Sequence, residues 1–422
     1  MNMFLLIYQG LWRLAPFWIR RYLRRRAGKN PAYLEHWDER FGKMQNHASK
    51  GVLWIHAVSV GETRAAAPII RALQKRHPDL PLLITQMTPT GRATAEQLFP
   101  QVQCRYLPYD RKNYVEQFLD DHQPIAGILM ETEIWINLLD ACQKRHIPMI
   151  LANARLSEKS AKGYERFRGL FQAAFASFAG VLTQTQNDAQ RFQKLGAKHI
   201  HVFGNSKYDI QPDGASQILA NEFRQKVGNR PVFVCASTRE KDSIDEAKLI
   251  LEAWQKIHSE NILLVLIPRH PERFQAAFDM AENLGFRVQK RSDNQKVDLQ
   301  TQVWIGDSMG ELFAYYLIAN VAFVGGSLVD TGCQNIIEPI ACGVSVIFGW
   351  STYNFASATE EALKAGVARQ VNDADECVAT ALSLLHQESE TQRLSAQKMI
   401  SQHQGASERI ADYVSGCLKM LK

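Results

Sequence analysis

At 422 residues, the chain is longer than one hydrophobic core usually organises, so its length favours two domains. Hydrophobic residues make up 46% and charged residues 22% of the sequence, which is typical of globular proteins and argues against a disordered chain. The net charge of +6 is modest and is concentrated near the start, in residues 20–29, so we predict no nucleic-acid partner.

The first predicted element is an apolar and aromatic helix over residues 3–19, which the arginine cluster follows. A cleaved secretory signal would carry its positive charge before the apolar run. Two interpretations stay open, a marginal transmembrane anchor and a helix lying in the membrane interface, with a buried N-terminal helix as the structural alternative. We expect membrane association of residues 1–30, with the arginines on the cytoplasmic side.

From Val52 onward, short β-rich runs alternate with amphipathic stretches. Several of these runs are continuously apolar, as strands buried on both faces are. The alternation predicts parallel sheets in α/β layers. The predicted strands are residues 52–58, 81–87, 104–108, 125–130, 148–153, 180–185, 200–204, 231–237, 261–268, 302–306, 321–327 and 344–349.

Turn-forming residues gather between two strand-and-helix series, at residues 204–217, and predict a domain boundary there. We expect two doubly wound, Rossmann-like domains that face a cleft. The predicted divisions are an N-terminal anchor (1–30), an acceptor-binding domain (31–208), a nucleotide-sugar-binding domain (209–405) and a C-terminal helix (406–422). In such sheets, ligands bind beyond the carboxyl ends of the strands, which directs the search for functional residues.

In the first half of the chain, carboxylates follow two buried strands. Gly61 permits a tight turn, and Glu62 then begins a helix whose dipole favours a carboxylate. Glu131 and Glu133 follow another buried strand. A structural role as helix caps is the alternative for all three carboxylates.

In the second half, Arg269 and His270 follow a buried strand, with a solvated loop pair as the alternative interpretation. An arginine and backbone N–H groups at a helix start suit a phosphate, and Glu338 suits ribose hydroxyls. Neither the dinucleotide-binding glycine motif nor a P-loop occurs, so we predict a nucleotide site of another kind.

The sequence gives no sign of a metal site. The seven cysteines form no C-x-x-C pair and no cluster at zinc spacing, which predicts free thiols in a reducing compartment. Asp373 and Asp375 form an Asp-x-Asp motif, but they precede a predicted helix, so capping explains them better than a metal.

Ordered motifs along nearly the whole chain resemble the bacterial 3-deoxy-D-manno-octulosonic acid (Kdo) transferases. They are HAVSVGE, TPTGR, ETEIW, NARLS, GNSKYD, PRHPERF, MGEL and FVGGSL, followed by a Glu-Pro pair. The resemblance implies a GT-B glycosyltransferase that moves Kdo from CMP-Kdo, its donor substrate, onto the lipid A precursor lipid IVA with inversion. It also implies a place in lipopolysaccharide core synthesis at the cytoplasmic face of the inner membrane. We expect no cofactor and no metal requirement.

The resemblance also implies roles for individual residues. Glu62 would accept the proton of the acceptor hydroxyl, and Glu131 and Lys207 would support the transition state. CMP would bind to Pro268, Arg269, Met309, Gly310, Glu311, Asn335, Ile336, Ile337 and Glu338. The chain departs from the family in residues 330–339, DTGCQNIIEP, where Gln334 replaces the usual histidine and leaves the role of that position open.

Two other functions are compatible with the same fold, because a fold does not fix a function. One is another GT-B enzyme that uses a UDP-sugar, either a transferase or an epimerase, and it predicts stabilisation by uridine nucleotides. The other is a non-catalytic, lipid-associated binding module, which predicts that a Glu62→Gln change leaves function intact.

Overall fold

The structure, a computed structural model, describes residues 3–28, 30–43, 48–257, 261–385 and 389–420. The chain divides into two compact units. The first unit comprises Met1–Ile210 and His403–Lys422, and the second unit comprises Gln211–Gln402.

The first unit contains a seven-stranded sheet of order β3-β2-β1-β4-β5-β6-β7, in which all pairs are parallel. Its strands are β1 (Leu53–His56), β2 (Leu82–Gln86), β3 (Gln103–Tyr106), β4 (Ala126–Met130), β5 (Met149–Ala154), β6 (Gly180–Thr183) and β7 (Ile200–Val202). The strand order doubles back at β1, as in doubly wound folds.

The second unit contains a short antiparallel hairpin of β9 and β10 and another seven-stranded parallel sheet, of order β12-β13-β11-β8-β14-β15-β16. The strands are β8 (Val232–Thr238), β9 (Glu240–Lys241), β10 (Ile244–Asp245), β11 (Leu263–Pro268), β12 (Val288–Lys290), β13 (Val303–Ile305), β14 (Val321–Val324), β15 (Ser345–Phe348) and β16 (Ala368–Gln370).

Helices connect the strands on both faces of each sheet. In chain order they are α1 (Met3–Ala27), α2 (Trp37–Arg40), α3 (Val60–Arg76), α4 (Pro89–Leu98), α5 (Lys112–His122), α6 (Ile136–Lys144), α7 (Glu158–Arg166), α8 (Arg168–Ala176), α9 (Gln186–Lys194), α10 (Gly214–Val227), α11 (Glu246–Gln255), α12 (Phe274–Asn283), α13 (Leu312–Ile318), α14 (Ile337–Ala341), α15 (Ala356–Lys364), α16 (Ala374–Leu385), α17 (Ser389–His403) and α18 (Ala406–Lys419). Short 3-10 helices cover Pro31–Leu34, Ser206–Asp209, Pro271–Arg273 and Arg291–Asp293.

The continuous apolar runs become strands buried on both faces, as β1, β4 and β5 illustrate. In the first unit, Ile69 of α3 and Ile410 of α18 belong to the core on one face of the sheet. Phe118 of α5 and Leu138 of α6 belong to the core on the other face. The C-terminal helix α18 is therefore an integral part of the first unit.

Helix α1 packs on the first unit through one face. Leu23 is buried in a cluster with Phe41 and Tyr114, and the hydroxyl of Tyr8 donates to Asp110 Oδ2 at 2.6 Å. Within the described ranges, no helix combines the length and the apolarity needed to cross a bilayer.

Candidate functional site

Glu62 lies in the first turn of α3, directly after β1. The helix begins at Val60, with Ser59 as its N-cap residue. The Glu62 carboxylate accepts hydrogen bonds from the backbone N–H of Val58 at 2.8 Å and from the hydroxyl of Ser59 at 3.4 Å. The prediction that Gly61 makes a tight turn is wrong, because Gly61 is the second residue of the helix and has no positive φ.

The environment of Glu62 changes its acidity. Burial raises the pKa of Glu62 to about 8, and the negative charges of Glu131 and, to a smaller extent, Glu133 also raise it. The backbone N–H of Val58 and the ammonium group of Lys207 lower this pKa. A carboxyl group whose pKa lies near the working pH is suited to accept and release a proton.

Glu131 follows β4 and is only 7% exposed. Its Oε1 accepts from Lys207 Nζ at 2.9 Å, and its Oε2 accepts from Arg155 Nε at 2.8 Å. Burial alone would raise the pKa of Glu131, but these two cations outweigh burial and lower it. Glu131 is therefore a fixed negative charge that the first unit holds beside Glu62.

The capping alternative does not explain Glu131 or Glu133. The start of α6 is capped by Asp110, which accepts from the backbone N–H groups of Asn137 at 3.0 Å and Leu138 at 2.9 Å. Glu133 accepts instead from the indole N–H of Trp135, at 2.8 Å. Glu133 therefore accepts from the side chain of the N-cap residue of α6, and the partners of Glu131 lie outside this helix.

Two residues with left-handed backbone hold this group in place. Glu131 has φ 58° and Asn153 has φ 51°, and they lie at the ends of the neighbouring strands β4 and β5. This conformation is uncommon outside glycine, and such residues cluster at functional sites. Asn153 Oδ1 accepts from the backbone N–H of Ser206 at 3.0 Å, which fixes the 3-10 helix that carries Lys207.

Sequence reasoning did not assign roles to Asn153 and Arg155, although both lie in the NARLS motif. Their position at the carboxyl end of a buried strand was an available signal. Sequence reasoning also assigned no role to His56. This residue is fully buried at the end of β1, and its Nδ1 forms a hydrogen bond with Thr85 Oγ1 at 2.9 Å. Because burial lowers the pKa of His56 to about 3, its imidazole is neutral near pH 7.

In the second unit, Pro268 ends β11 and Arg269 follows it. The backbone N–H of Arg269 donates to the carbonyl of Thr238 at 3.0 Å, which ties this segment to the end of β8. Pro268 and His270 border a pocket of about 160 Å³, together with Thr238 and Arg239. Arg269 is half-buried, whereas the His270 side chain is exposed.

The segment after β13 presents two residues to solvent. Met309 is 55% exposed, and Gly310 has φ 82°, a conformation that favours glycine. The carboxylate of Glu311 is engaged within the unit, because it accepts from Arg291 Nε and Nη2, both at 3.1 Å, and from the Ser308 hydroxyl at 2.5 Å. Met309 and Gly310 are therefore the most open residues of this segment, while the Glu311 side chain keeps 22% of its surface exposed.

The segment from Asn335 to Glu338 begins α14. Asn335 Oδ1 accepts from the backbone N–H of Ile337 at 3.0 Å, and its Nδ2 donates to Glu338 Oε1 at 3.2 Å. Ile336 and Ile337 are 0% and 1% exposed, main chain included, so both residues are buried in this structure. Glu338 is 3% exposed.

In the Asp-x-Asp motif, Asp373 caps a helix as predicted, whereas Asp375 lies within the first turn of that helix. Asp373 Oδ1 accepts from the backbone N–H of Glu376 at 2.8 Å and thereby caps α16, and Asp375 pairs with Lys256 at 2.6 Å. In the part of the chain that the structure describes, no three His, Cys, Asp or Glu residues form a group that could hold a metal ion.

The whole-chain fold is similar to that of a glycosyltransferase from Rickettsia africae. The two structures share 12% sequence identity with a TM-score of 0.56, and the match covers 89% of this chain and 99% of the other. Two parallel Rossmann-like sheets with this likeness define a GT-B-like α/β fold.

Sequence comparisons identify the family. The profile described as 3-deoxy-D-manno-octulosonic-acid transferase (kdotransferase) matches residues 35–210. The 3-deoxy-D-manno-octulosonic acid transferase of Bordetella pertussis is 36% identical, covering 97% of this chain and 98% of the relative. The protein of the same name from Haemophilus influenzae is 34% identical, covering 93% of each. The chain belongs to the Kdo transferase family of glycosyltransferases.

Proposed function

We propose that this glycosyltransferase moves Kdo from CMP-Kdo onto the lipid A precursor lipid IVA during lipopolysaccharide synthesis, with Glu62 as the general base. Membership of the Kdo transferase family supports the transferred sugar. The observation that carries the assignment of Glu62 is its pKa of about 8 beside the ionised Glu131.

The acceptor is a hydroxyl group, which must lose its proton as it attacks the sugar. Glu62 would take this proton, a contribution of about 10²–10⁴-fold to the rate for a well-placed base. The negative charge of Glu131 raises the proton affinity of Glu62 and so makes it a stronger base. Lys207 and Arg155 keep Glu131 ionised, which is how these cations would support the transition state.

The donor would bind to the second unit through Pro268, Arg269, Met309, Gly310 and the segment 335–338. As the bond to CMP breaks, negative charge grows on the departing phosphate and positive charge grows on the anomeric carbon. An arginine and backbone N–H groups that meet the phosphate stabilise this charge as it develops, and so lower the barrier. Attack on the face opposite CMP would invert the anomeric centre.

Thermal unfolding with nucleotides tests the donor. A ligand that binds only the folded protein at 100 times its Kd stabilises it by about 2.7 kcal/mol. CMP should raise the Tm and UMP should raise it less, and Arg269→Ala should reduce the CMP effect. Lys248→Ala, a change at an exposed lysine of α11, is the control and should leave the effect unchanged. Stronger protection by UMP than by CMP would refute the cytidine donor.

Helix α1 supports a peripheral association with the membrane. Its outward face exposes Ile7, Leu11, Leu14, Phe17 and Trp18, each between 53% and 70% exposed, which we name the apolar stripe. Their spacing of three to four residues places them along one side of the helix. Arginines occupy the last turn of α1, where anionic headgroups would attract them. We therefore propose that α1 lies in the interface of the inner membrane, on the cytoplasmic side.

Point substitutions test this proposal more cleanly than deletion of residues 1–26. Deletion would also remove Leu23 from the core and the Tyr8 hydroxyl from Asp110. The double change Leu14→Glu and Phe17→Glu should abolish sedimentation with vesicles that contain phosphatidylglycerol. Leu299→Glu, at a residue of the second unit that is 78% exposed, is the matched control. Equal sedimentation of both variants would contradict the proposal.

A further inference from the structure

Glu246 is a buried carboxylate that accepts four backbone hydrogen bonds. It is 0% exposed and lies at the start of α11. Its Oε2 accepts from the N–H groups of Arg239 at 2.8 Å and Gly326 at 2.6 Å. Its Oε1 accepts from the N–H groups of Ser327 at 2.9 Å and Leu328 at 2.8 Å. One side chain therefore binds two separate stretches of main chain.

These two stretches are the loops at the carboxyl ends of the neighbouring strands β8 and β14. The loops touch directly, since a Cβ added to Gly325 would lie 2.6 Å from the carbonyl oxygen of Ser237. Gly326 has φ 73°, which turns its N–H and those that follow towards one carboxylate. The Gly-Gly pair thus allows the close approach, and Glu246 holds it.

Each of the two loops that donate to Glu246 also forms a hydrogen bond with one segment of the proposed donor site. The carbonyl of Thr238, the residue before Arg239, accepts from the N–H of Arg269 at 3.0 Å. The carbonyl of Gly325, the residue before Gly326, accepts from the N–H of Gln334 at 3.0 Å, directly before Asn335. Glu246 is therefore linked to both segments through two short hydrogen-bonded paths.

We propose that Glu246 is a positioning residue for the donor site, which fixes the main chain that carries Arg269 and the segment 335–338. The proposal deepens the CMP-Kdo function above and rests on it. A carboxylate suits this role because it has two oxygens and about four acceptor positions for four N–H donors. Glutamine would present only one oxygen, and its amide N–H₂ would face two N–H groups that need an acceptor.

Steady-state kinetics of Glu246→Gln test this role. We expect the KM for CMP-Kdo to rise about tenfold, which corresponds to about 1.4 kcal/mol, while the KM for the lipid acceptor stays within about twofold. The control is Glu252→Gln on the same helix, where the carboxylate is 45% exposed and pairs with Lys248. It should leave both KM values unchanged.

A merely structural role predicts a lower Tm with no selective change in the donor KM, and that result would overturn the proposal. If wild type does not use CMP-Kdo, the proposed function itself has failed, which is a distinct outcome. Should Glu246→Gln not fold, hydrogen exchange of the wild type decides the matter. The backbone amide hydrogens of Arg239 and of residues 326–328 should exchange slowly without nucleotide. Exchange as fast as in a solvent-exposed loop would refute the four hydrogen bonds to Glu246.

Discussion

The raised pKa of Glu62 makes a quantitative prediction about the pH dependence of transfer. With a pKa of about 8, about 9% of Glu62 is deprotonated at pH 7, about 50% at pH 8 and about 91% at pH 9. If only the carboxylate accepts the proton, kcat/KM should rise about fivefold from pH 7 to pH 8 and about tenfold by pH 9. Glu62→Gln removes the titrating group, so the residual rate should be flat over this range.

The assay is the initial rate of CMP release at subsaturating donor, measured in buffers of constant ionic strength between pH 7 and pH 9. Glu62→Gln should lower the rate about 10²–10⁴-fold. Glu158→Gln is the control, because Glu158 is exposed and pairs with Lys162 on its own helix. A flat profile in wild type, or a rising profile in Glu62→Gln, would refute the assignment.

The same pKa predicts an effect on stability, which separates a lost base from a damaged fold. The folded protein binds the Glu62 proton more tightly than the unfolded chain, in which the carboxyl titrates near 4.5. Glu62 therefore destabilises the fold progressively as pH rises from about 4.5 to about 8. Glu62→Gln should have a higher Tm than wild type at pH 9 and nearly the same Tm as wild type at pH 5. A Tm far below that of wild type at both pH 5 and pH 9 would contradict this prediction.

Three further predictions concern the surroundings of the site. Lys207→Met leaves the buried Glu131 with one cation fewer, so we expect the free energy of unfolding, measured in urea, to fall by about 3 kcal/mol. An unchanged free energy of unfolding would contradict a stabilising buried pair. Tyr8→Phe removes a hydrogen-bond donor from Asp110, a carboxyl group whose pKa is raised by burial to about 6. We expect the free energy of unfolding to fall by about 1–3 kcal/mol in the same measurement, and no change would show that the contact is incidental. Transfer should continue at the full rate in EDTA, and strict loss on chelation would refute metal independence.

Much of the fold could be predicted from the pattern of apolar runs. Each of the twelve predicted strands overlaps an observed one, and most of them, though not β3 or β7, are buried along their whole length, which is why their sequences are largely apolar. The missed strands are short. β12 and β16 have three residues each and lie at the two edges of their sheet, and β9 and β10 have two residues each. None of these strands is long enough to show a recognisable pattern of apolar and polar residues.

The candidate site was only partly accessible to the same reasoning. The rule that ligands bind at the carboxyl ends of strands pointed to Glu62 and Glu131, whereas the role of Lys207 followed only from the family resemblance. Arg155 and Glu246 were missed because their partners are distant in sequence. Glu246 accepts hydrogen bonds from backbone N–H groups of residues 80 to 82 positions away, and a local sequence pattern cannot predict a hydrogen bond over that separation.

The most direct test of the central claim is mass spectrometry of the products that wild type and Glu62→Gln form from CMP-Kdo and lipid IVA. We predict that wild type adds the mass of one or more Kdo residues to the acceptor and releases an equal number of CMP molecules. Glu62→Gln should bind CMP yet leave the acceptor mass unchanged. An unmodified acceptor with wild type, or equal product with the variant, would contradict the account.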